Sequence, residues 1–312
     1  MARRLLERAK TNIDKTAVSS DNSVMSFLLP EFSDFIASDA DRCKFLTNWL
    51  DSHNIDCTLI PIDGSKHIYI NFPSQFYDPR FRMKTILVHY DRAPNSPGAN
   101  DNSAAVFQVL AFLERLKTFK TAHNMRVFFT DGEEMGAMGG VSDQGAYGIA
   151  ARFKKIGIMN DDVLAIDGCG RGDVIVISTT GRKSPGTEIF KRRFNDLYER
   201  TIELAQQVSP QKWVTAPVPY SDNAAFIASG IPAVAVTMLP REEATALMRN
   251  VQRDKSFENA LLNHSVANTD LLPMTWRFMH TPFDAPESLT PESFDLMEKF
   301  LDALALQKTV AL

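Results

Sequence analysis

The sequence of 312 residues has few cysteines, no long apolar run and no excess of basic charge. Its three cysteines lie far apart without a CxxC pair, which argues against a disulfide framework and gives no support for a thiolate zinc site. No stretch approaches the ~18 apolar residues of a membrane span or forms a signal-peptide core. The formal net charge of -4 favours neither nucleic acid nor an anionic membrane as a partner. These absences predict a cytoplasmic protein of undetermined oligomeric state.

Segments with strand patterns alternate with segments of helical periodicity along the chain. Strands are predicted at 57–62, 67–72, 85–90, 127–130, 163–167, 173–178 and 231–236. Helices are predicted at 38–54, 101–117, 148–155, 188–207 and 291–306. This alternation predicts an α/β fold, a three-layer αβα sandwich around a mixed, largely parallel sheet. We expect a single domain, 1–312, in which 1–24 are flexible and 241–278 form a lid or cap.

Histidine and carboxylate residues follow the ends of several predicted strands, where parallel sheets bind their ligands. They are His89, Asp91, Asp101, Glu133, Glu134 and Asp167, with His280 late in the chain. Two imidazoles and several carboxylates without a thiolate suit zinc, with cobalt or manganese as substitutes. The sequence therefore predicts a metal site at this edge of the sheet.

The positions of these residues in the sequence predict a role for each of them at the metal site. Asp101 lies between the other candidate ligands in chain order, and its two oxygens can bridge two metals about 3.5–4 Å apart. Asp91 stands two residues past His89, on the same face of the strand, where it can accept the second ring N–H of His89. Glu133 and Glu134 point in different directions, so one can bind metal while the other moves a proton to the leaving amine.

Six segments, in order, resemble the di-zinc aminopeptidase family, which includes bacterial leucyl-type enzymes and, as a relative, glutaminyl cyclase. The segments are HYD at 89–91, PGANDNSAA at 97–105, EEMGAMG at 133–139, Asp167, YSDNAAF at 220–226 with GIP at 230–232, and HTPFD at 280–284. Together they span about two thirds of the chain, and their common order makes the resemblance specific.

The resemblance implies two zinc ions, Asp101 as their bridge and Glu133 as the general base. The terminal zinc ligands would be His89, Glu134, Asp167 and His280. Asp91 would orient His89, and the Asp101–Asn102 peptide bond would be cis. The implied reaction removes N-terminal amino acids from a peptide or small amide substrate.

The sequence departs from the family in two segments. Asn223 stands where the family usually has histidine, in a segment that the resemblance places near the substrate together with Tyr220 and Asp222. Residues 141–146 form a small insertion or an altered loop at the predicted rim of the pocket. These departures bear on substrate recognition more than on metal binding.

Three other functions on the same scaffold stay open. A dipeptidase or carboxypeptidase would need a basic residue for the substrate carboxylate, such as Arg171 or Arg241. Glutaminyl cyclases hold one zinc, which the complete ligand set disfavours. A non-catalytic binding protein is disfavoured because such descendants typically lose ligands.

Several residues near the motifs also have simpler interpretations. Asp222 can serve only as the N-cap of the following helix, and Asp284 only as a turn residue before Ala285-Pro286. Four other histidines lack a comparable context, and we expect them on the surface. They are His53, His67, His123 and His264.

Overall fold

A single sheet of eight strands organises the computed structural model, which describes residues 31–262 and 266–311. The strands are β1 (Cys57–Ile62), β2 (Ser65–Ile70), β3 (Lys84–His89), β4 (Met125–Thr130), β5 (Asp162–Ile166), β6 (Val174–Ser178), β7 (Trp213–Ala216) and β8 (Ala233–Leu239). Their order across the sheet is β1-β2-β4-β3-β5-β8-β6-β7. The β1/β2, β2/β4 and β6/β8 pairs are antiparallel and the other pairs are parallel. This confirms the predicted mixed, largely parallel sheet.

Helices cover both faces of the sheet and make it the middle layer of three. They are α1 (Arg42–Ser52), α2 (Ala104–Leu116), α3 (Gly136–Gly139), α4 (Gly145–Lys155), α5 (Glu188–Val208), α6 (Asn223–Ala228), α7 (Arg241–Arg253), α8 (Lys255–Leu262), α9 (Met274–Phe278) and α10 (Pro291–Leu306). Residues of α1, α2, α5 and α10 join one apolar cluster, and residues of α4 and α6 join another. The three-layer α/β architecture is therefore confirmed.

Strand β3 shows why a short apolar run stands at the centre of a buried strand. Ile86 and Val88 belong to the cluster on one face of the sheet, whereas Leu87 belongs to the cluster on the other. Successive side chains of a strand point to opposite faces, so the middle of a strand covered by helices on both faces needs apolar residues at consecutive positions. All six residues of β3 are buried, including Lys84 and His89 at its two ends.

The segment 241–278, predicted as a lid or cap, forms α7, α8 and α9 beside one edge of the sheet. A third apolar cluster joins these helices to β6 and β8 through residues such as Val174, Leu239 and Trp276. Strand β7, which the sequence did not predict, extends the same edge. The predicted flexible residues 1–24 lie outside the described residues, and the single-domain boundary at 1–312 stays a prediction. No helix in the described ranges is long and apolar enough to cross a membrane.

Two histidines expected on the surface are buried. His67 is fully enclosed, and its Nδ1 atom accepts the N–H of Asp131 at 3.2 Å. His123 packs against the rings of Phe72 and Phe76, and its Nδ1 atom accepts the N–H of Met125 at 3.0 Å. The surface prediction is wrong for both because aromatic and backbone partners from distant segments surround them. His53 is half-buried, and His264 lies outside the described residues.

Candidate active site

The parallel strands bring the predicted site residues to one edge of the sheet. His89 is the last residue of β3, and it pairs in register with Thr130, the last residue of β4. The loop after β4 carries Glu133 and Glu134, and Asp167 directly follows β5. Strands that end at the same level place the residues that follow them side by side.

Asp101 and His280 reach the same edge from loops. Asp101 lies in the irregular turn Ala99–Ser103 before α2, and its peptide bond to Asn102 is cis, as the family resemblance implies. The side-chain amide of Asn102 donates to the backbone oxygen of Ile166 at 2.9 Å, which ties this turn to the end of β5. His280 follows α9 in a left-handed backbone conformation, with φ at 60°.

The side chains form two ligand groups that share Asp101. His89 Nε2 lies 3.2 Å from Asp101 Oδ1 and 3.6 Å from Asp167 Oδ1. His280 Nε2 lies 3.2 Å from Asp101 Oδ2 and 3.0 Å from Glu134 Oε2. Each oxygen of Asp101 thus faces a different group, as a bridging carboxylate requires. A carboxylate oxygen of Glu133 also lies close enough to ligand atoms of His89 and Glu134 for the three residues to hold one metal ion.

Several atoms of these groups are buried without a hydrogen bond. They are both ring nitrogens of His89, Oε1 of Glu134 and Oδ1 of Asp167. Buried polar atoms are normally paired, and an unpaired one costs about 1–3 kcal/mol. The donors are imidazole nitrogens and carboxylate oxygens, the set that zinc accepts without thiolates. The residues present therefore fit a metal centre.

Negative charge dominates these groups. Burial raises the pKa of Glu133 well above its ordinary value, His89 opposes that shift, and neighbouring carboxylates reinforce it. Contacts with Asp101 and Glu134 raise the pKa of His280 to about 11. The ion pairs that these carboxylates form in the described ranges are with histidine rather than with lysine or arginine. A surplus of carboxylates of this kind favours the binding of divalent cations.

Asp91 connects the histidine to the glutamate loop. Its Oδ1 atom lies 3.4 Å from His89 Nδ1, the ring nitrogen that faces away from Asp101. The same carboxylate accepts the backbone N–H groups of Glu133 and Glu134 at 3.2 and 3.1 Å. The sequence predicted the first contact from strand geometry, but the second requires the folded loop. Asp91 therefore contacts both the candidate ligand His89 and the backbone of the candidate base Glu133.

Asp284 joins the two loops that carry Asp101 and His280. Its carboxylate accepts the backbone N–H groups of Asn100 at 2.7 Å and Asp101 at 3.1 Å. Its backbone oxygen accepts the N–H of Ala99 at 3.0 Å. Asp284 is fully buried, so the interpretation as a plain turn residue is wrong. The closing His-Thr-x-x-Asp motif was the sequence signal for it.

The sequence profile of peptidase family M28 matches residues 83–305. The chain belongs to this family. No curated protein sequence matches it significantly. Among solved structures, it is similar to an aminopeptidase of Legionella pneumophila, with 15% identity over 96% of this chain and 73% of that one and a TM-score of 0.61. It is also similar to a glutaminyl cyclase of Bacteroides thetaiotaomicron, with 14% identity over 89% and 94% and a TM-score of 0.58.

A zinc-dependent exopeptidase of Parabacteroides distasonis shares 12% identity over 92% of this chain and 98% of that one, with a TM-score of 0.58. These low identities show the fold alone. The family match adds that the chain is related to metallopeptidases, and the candidate metal centre lies inside the matched residues.

A cavity of about 430 Å³ opens beside the candidate metal centre. Asp101, Glu133, Asp167 and His280 form its polar end. The remaining wall is largely apolar and comes partly from the 241–278 segment and its neighbours. Its apolar side chains include Val218, Val236, Leu261, Val266, Leu272, Trp276 and Met279. Among the described residues that line the cavity, none is lysine or arginine.

The three residues predicted to bind substrate occupy different environments. Tyr220 lines the cavity. Asp222 and Asn223 are buried and are not among the lining residues. Asp222 occupies the N-cap position of α6 without a capping hydrogen bond from its side chain, which instead accepts the hydroxyl of Thr130. The capping interpretation is therefore wrong, and a substrate-binding role for these residues stays a prediction.

Proposed function

We propose that this M28 peptidase is a two-zinc aminopeptidase that removes N-terminal residues from peptides or small amides. The observation that carries the proposal is the lining of the cavity. Its wall is largely apolar, and its described lining contains no lysine or arginine. A carboxypeptidase or dipeptidase needs such a basic side chain to bind the substrate's terminal carboxylate, whereas a free N-terminal amine does not.

The residues that would hold the metals follow from the two groups. His89 and Asp167 would hold one zinc, Glu134 and His280 the other, and Asp101 would bridge them. This arrangement would use His89 Nε2, Glu134 Oε1 and Asp167 Oδ1, which are buried without a hydrogen bond. When bound, zinc would polarise the scissile carbonyl and increase the acidity of the attacking water.

The chain's own residues would then handle the proton and the substrate. Glu133 lines the cavity and lies within ligand distance of His89 and Glu134, so its carboxylate can take a proton from the water and give it to the leaving amine. Asp91 holds the glutamate loop through two backbone N–H groups. The apolar wall would take the side chain of the N-terminal residue.

The position of the basic residues disfavours a carboxypeptidase. Arg171 donates to Thr275, to the backbone oxygen of Ser288 and to Glu243, and it does not line the cavity. Arg241 is exposed at the start of α7 and is likewise not a lining residue. Neither arginine is therefore placed to bind a substrate carboxylate.

An activity assay tests the proposal against its alternatives. We expect the zinc-loaded protein to hydrolyse amino-acid anilides with a free amine, and to leave N-acetylated and C-terminally directed substrates intact. A chelator should abolish the activity and added zinc should restore it. Release of ammonia from a peptide with an N-terminal glutamine, which leaves a pyroglutamyl peptide, without anilide hydrolysis, would instead support the cyclase alternative.

Substitution of the base tests the mechanism. Glu133→Gln should lower kcat by about 10²–10⁴-fold, because the water loses its proton acceptor. The matched control is Glu188→Gln, since Glu188 is highly exposed on α5, where its partner is Lys191. Unchanged turnover in Glu133→Gln, with full zinc content, would exclude Glu133 as the general base.

A further inference from the structure

The carboxylate of Glu133 receives a hydrogen bond from the loop that departs from the family pattern. Gln144 Nε2 donates to Glu133 Oε1 at 2.9 Å. Gln144 is buried and stands directly before α4, at the end of the 141–144 loop. The contact therefore joins the candidate base to a segment that carries no candidate metal ligand.

Glycines allow this loop to lie against the glutamate loop. The backbone N–H of Gly145 donates to the backbone oxygen of Gly132 at 3.0 Å. A Cβ atom at Gly145 would lie 1.8 Å from the backbone oxygen of Asp131, and one at Gly136 would lie 2.4 Å from Cγ of Gln144. Larger residues at these positions would force the two loops apart or displace the Gln144 side chain. The approach of Gln144 to Glu133 is thus built into the backbone.

A general base must keep its oxygen within hydrogen-bond reach of the proton it removes. Asp91 fixes the backbone of Glu133 but leaves its side-chain torsions free. The amide of Gln144 holds one carboxylate oxygen and leaves the other available to the water. We propose that Gln144 is a positioning residue that fixes the orientation of the Glu133 carboxylate, an inference that rests on the proposed aminopeptidase function.

The test compares Gln144→Met, which keeps the side-chain length but removes the amide, with Gln206→Met on the exposed face of α5. We expect Gln144→Met to lower kcat by about 10–100-fold, because a small misplacement of a catalytic group has an effect of this size. KM, zinc content and melting temperature should stay close to those of the unsubstituted protein. Gln206→Met should change none of these quantities.

A double-mutant cycle separates positioning from a general structural effect. In a Glu133→Gln background, Gln144→Met should produce no further loss of kcat, since there is no base left to orient. Multiplicative losses in the double variant would overturn the inference. Gly136→Ala supplies an independent variant, because its new methyl group would displace Gln144 while keeping the amide. It should lower kcat in the same direction, and it decides the question if Gln144→Met fails to fold.

The outcomes for this inference and for the proposed function are distinct. An active, zinc-dependent enzyme whose kcat is unaffected by Gln144→Met would overturn the role of Gln144 alone. An unsubstituted protein that hydrolyses no anilide in its zinc-loaded form would overturn the proposed function, and the positioning role with it.

Discussion

The two ends of the central sheet both contain buried charged side chains, but they balance those charges differently. At the amino ends of the strands, Asp162 accepts from both terminal nitrogens of Arg200 at 2.6 and 2.8 Å, and Asp161 pairs with Arg126. At the carboxyl ends, the carboxylates of Asp101, Glu134 and Asp167 lie close to the imidazoles of His89 and His280.

This difference in pairing indicates that the charges at the amino ends stabilise the fold and that those at the carboxyl ends are available to bind a cation. Carboxylates that each have an arginine need no further partner, and removing that arginine leaves a buried charge uncompensated. Carboxylates that gather around two histidines, without lysine or arginine, leave a surplus of negative charge that a divalent cation can neutralise, so this end is suited to hold metal. Substitutions at the two ends should therefore affect different measured quantities.

The largest expected effect comes from Asp101→Ala. This substitution removes the oxygens that both ligand groups share, so we expect bound zinc to fall well below the level of the unsubstituted protein and activity to fall at least about 10³-fold. Elemental analysis and anilide hydrolysis measure the two effects. Asp162→Ala, at the opposite end of the sheet, is the matched comparison and should keep its zinc. Retention of both metals by Asp101→Ala would contradict a bridging role.

The converse substitution, Arg200→Met, should act on stability. It leaves Asp162 buried with only Arg82 near it, at 3.6 Å, so the loss should approach but not reach the ~3–5 kcal/mol that a fully broken buried pair typically costs. Urea unfolding measures this loss, while kcat and zinc content of the folded protein should not change. Arg80→Met is the control, because Arg80 is largely exposed and an ion pair with an exposed arginine contributes little, so at most a small change is expected. Loss of zinc in Arg200→Met would show that the two ends are coupled.

A smaller effect is expected at Asp284, which supports the candidate metal centre. Asp284→Ala would leave the N–H groups of Asn100 and Asp101 without their acceptor and loosen the loop that carries Asp101, the proposed bridge. Loss of a partner that orients a metal ligand typically weakens metal binding about 10–100-fold. Competition with a chromophoric chelator measures this affinity. The metal affinity of Asp284→Asn, which keeps one acceptor oxygen, should lie between those of the unsubstituted protein and Asp284→Ala. Asp295→Ala, on the exposed side of α10, should not change the affinity.

The sequence predicted the sheet and the ligand positions because both depend on short segments. A buried parallel strand needs an apolar run, and the residue that follows it lies at the binding edge whatever the rest of the chain does. His89, Glu134 and Asp167 could be located in this way. Asp101 and His280 were also candidates from their residue types, the family motifs supported both, and the structure brings them into the same two groups.

The features that the sequence did not predict depend on distant partners. Strand β7 is only four residues long and half-buried, so it lacks a clear alternating pattern. The hydrogen bond from Gln144 to Glu133 depends on the fold of the 141–144 loop, which has no periodicity to interpret. His67 and His123 were misplaced for a similar reason, because nothing beside them in sequence indicates which aromatic rings and backbone groups enclose them.

His123 gives the last and smallest test, because it lies beside the amino end of β4, away from the acids that surround His89 and His280. Burial and the nearby Lys84 lower its pKa to about 4, from 6.5 in an unfolded chain. Between these values the unfolded chain binds the proton that the folded protein refuses, so stability falls as pH decreases from about 6.5 towards 4.

We expect this histidine to remove about 1 to 2 kcal/mol of stability between pH 7 and pH 5. His123→Gln takes away the titrating group, so its free energy of unfolding should depend less on pH over this interval, although its stability at pH 7 is lower. Urea unfolding at the two pH values compares the variants, and Gln206→Met serves as a control with the pH dependence of the unsubstituted protein. An equal slope in His123→Gln would show that the folded protein binds a proton at His123 as readily as the unfolded chain does. In that case the amino end of the sheet would tolerate a buried histidine charge without an acidic partner. The statement that buried charges at this end are each paired would then be weakened.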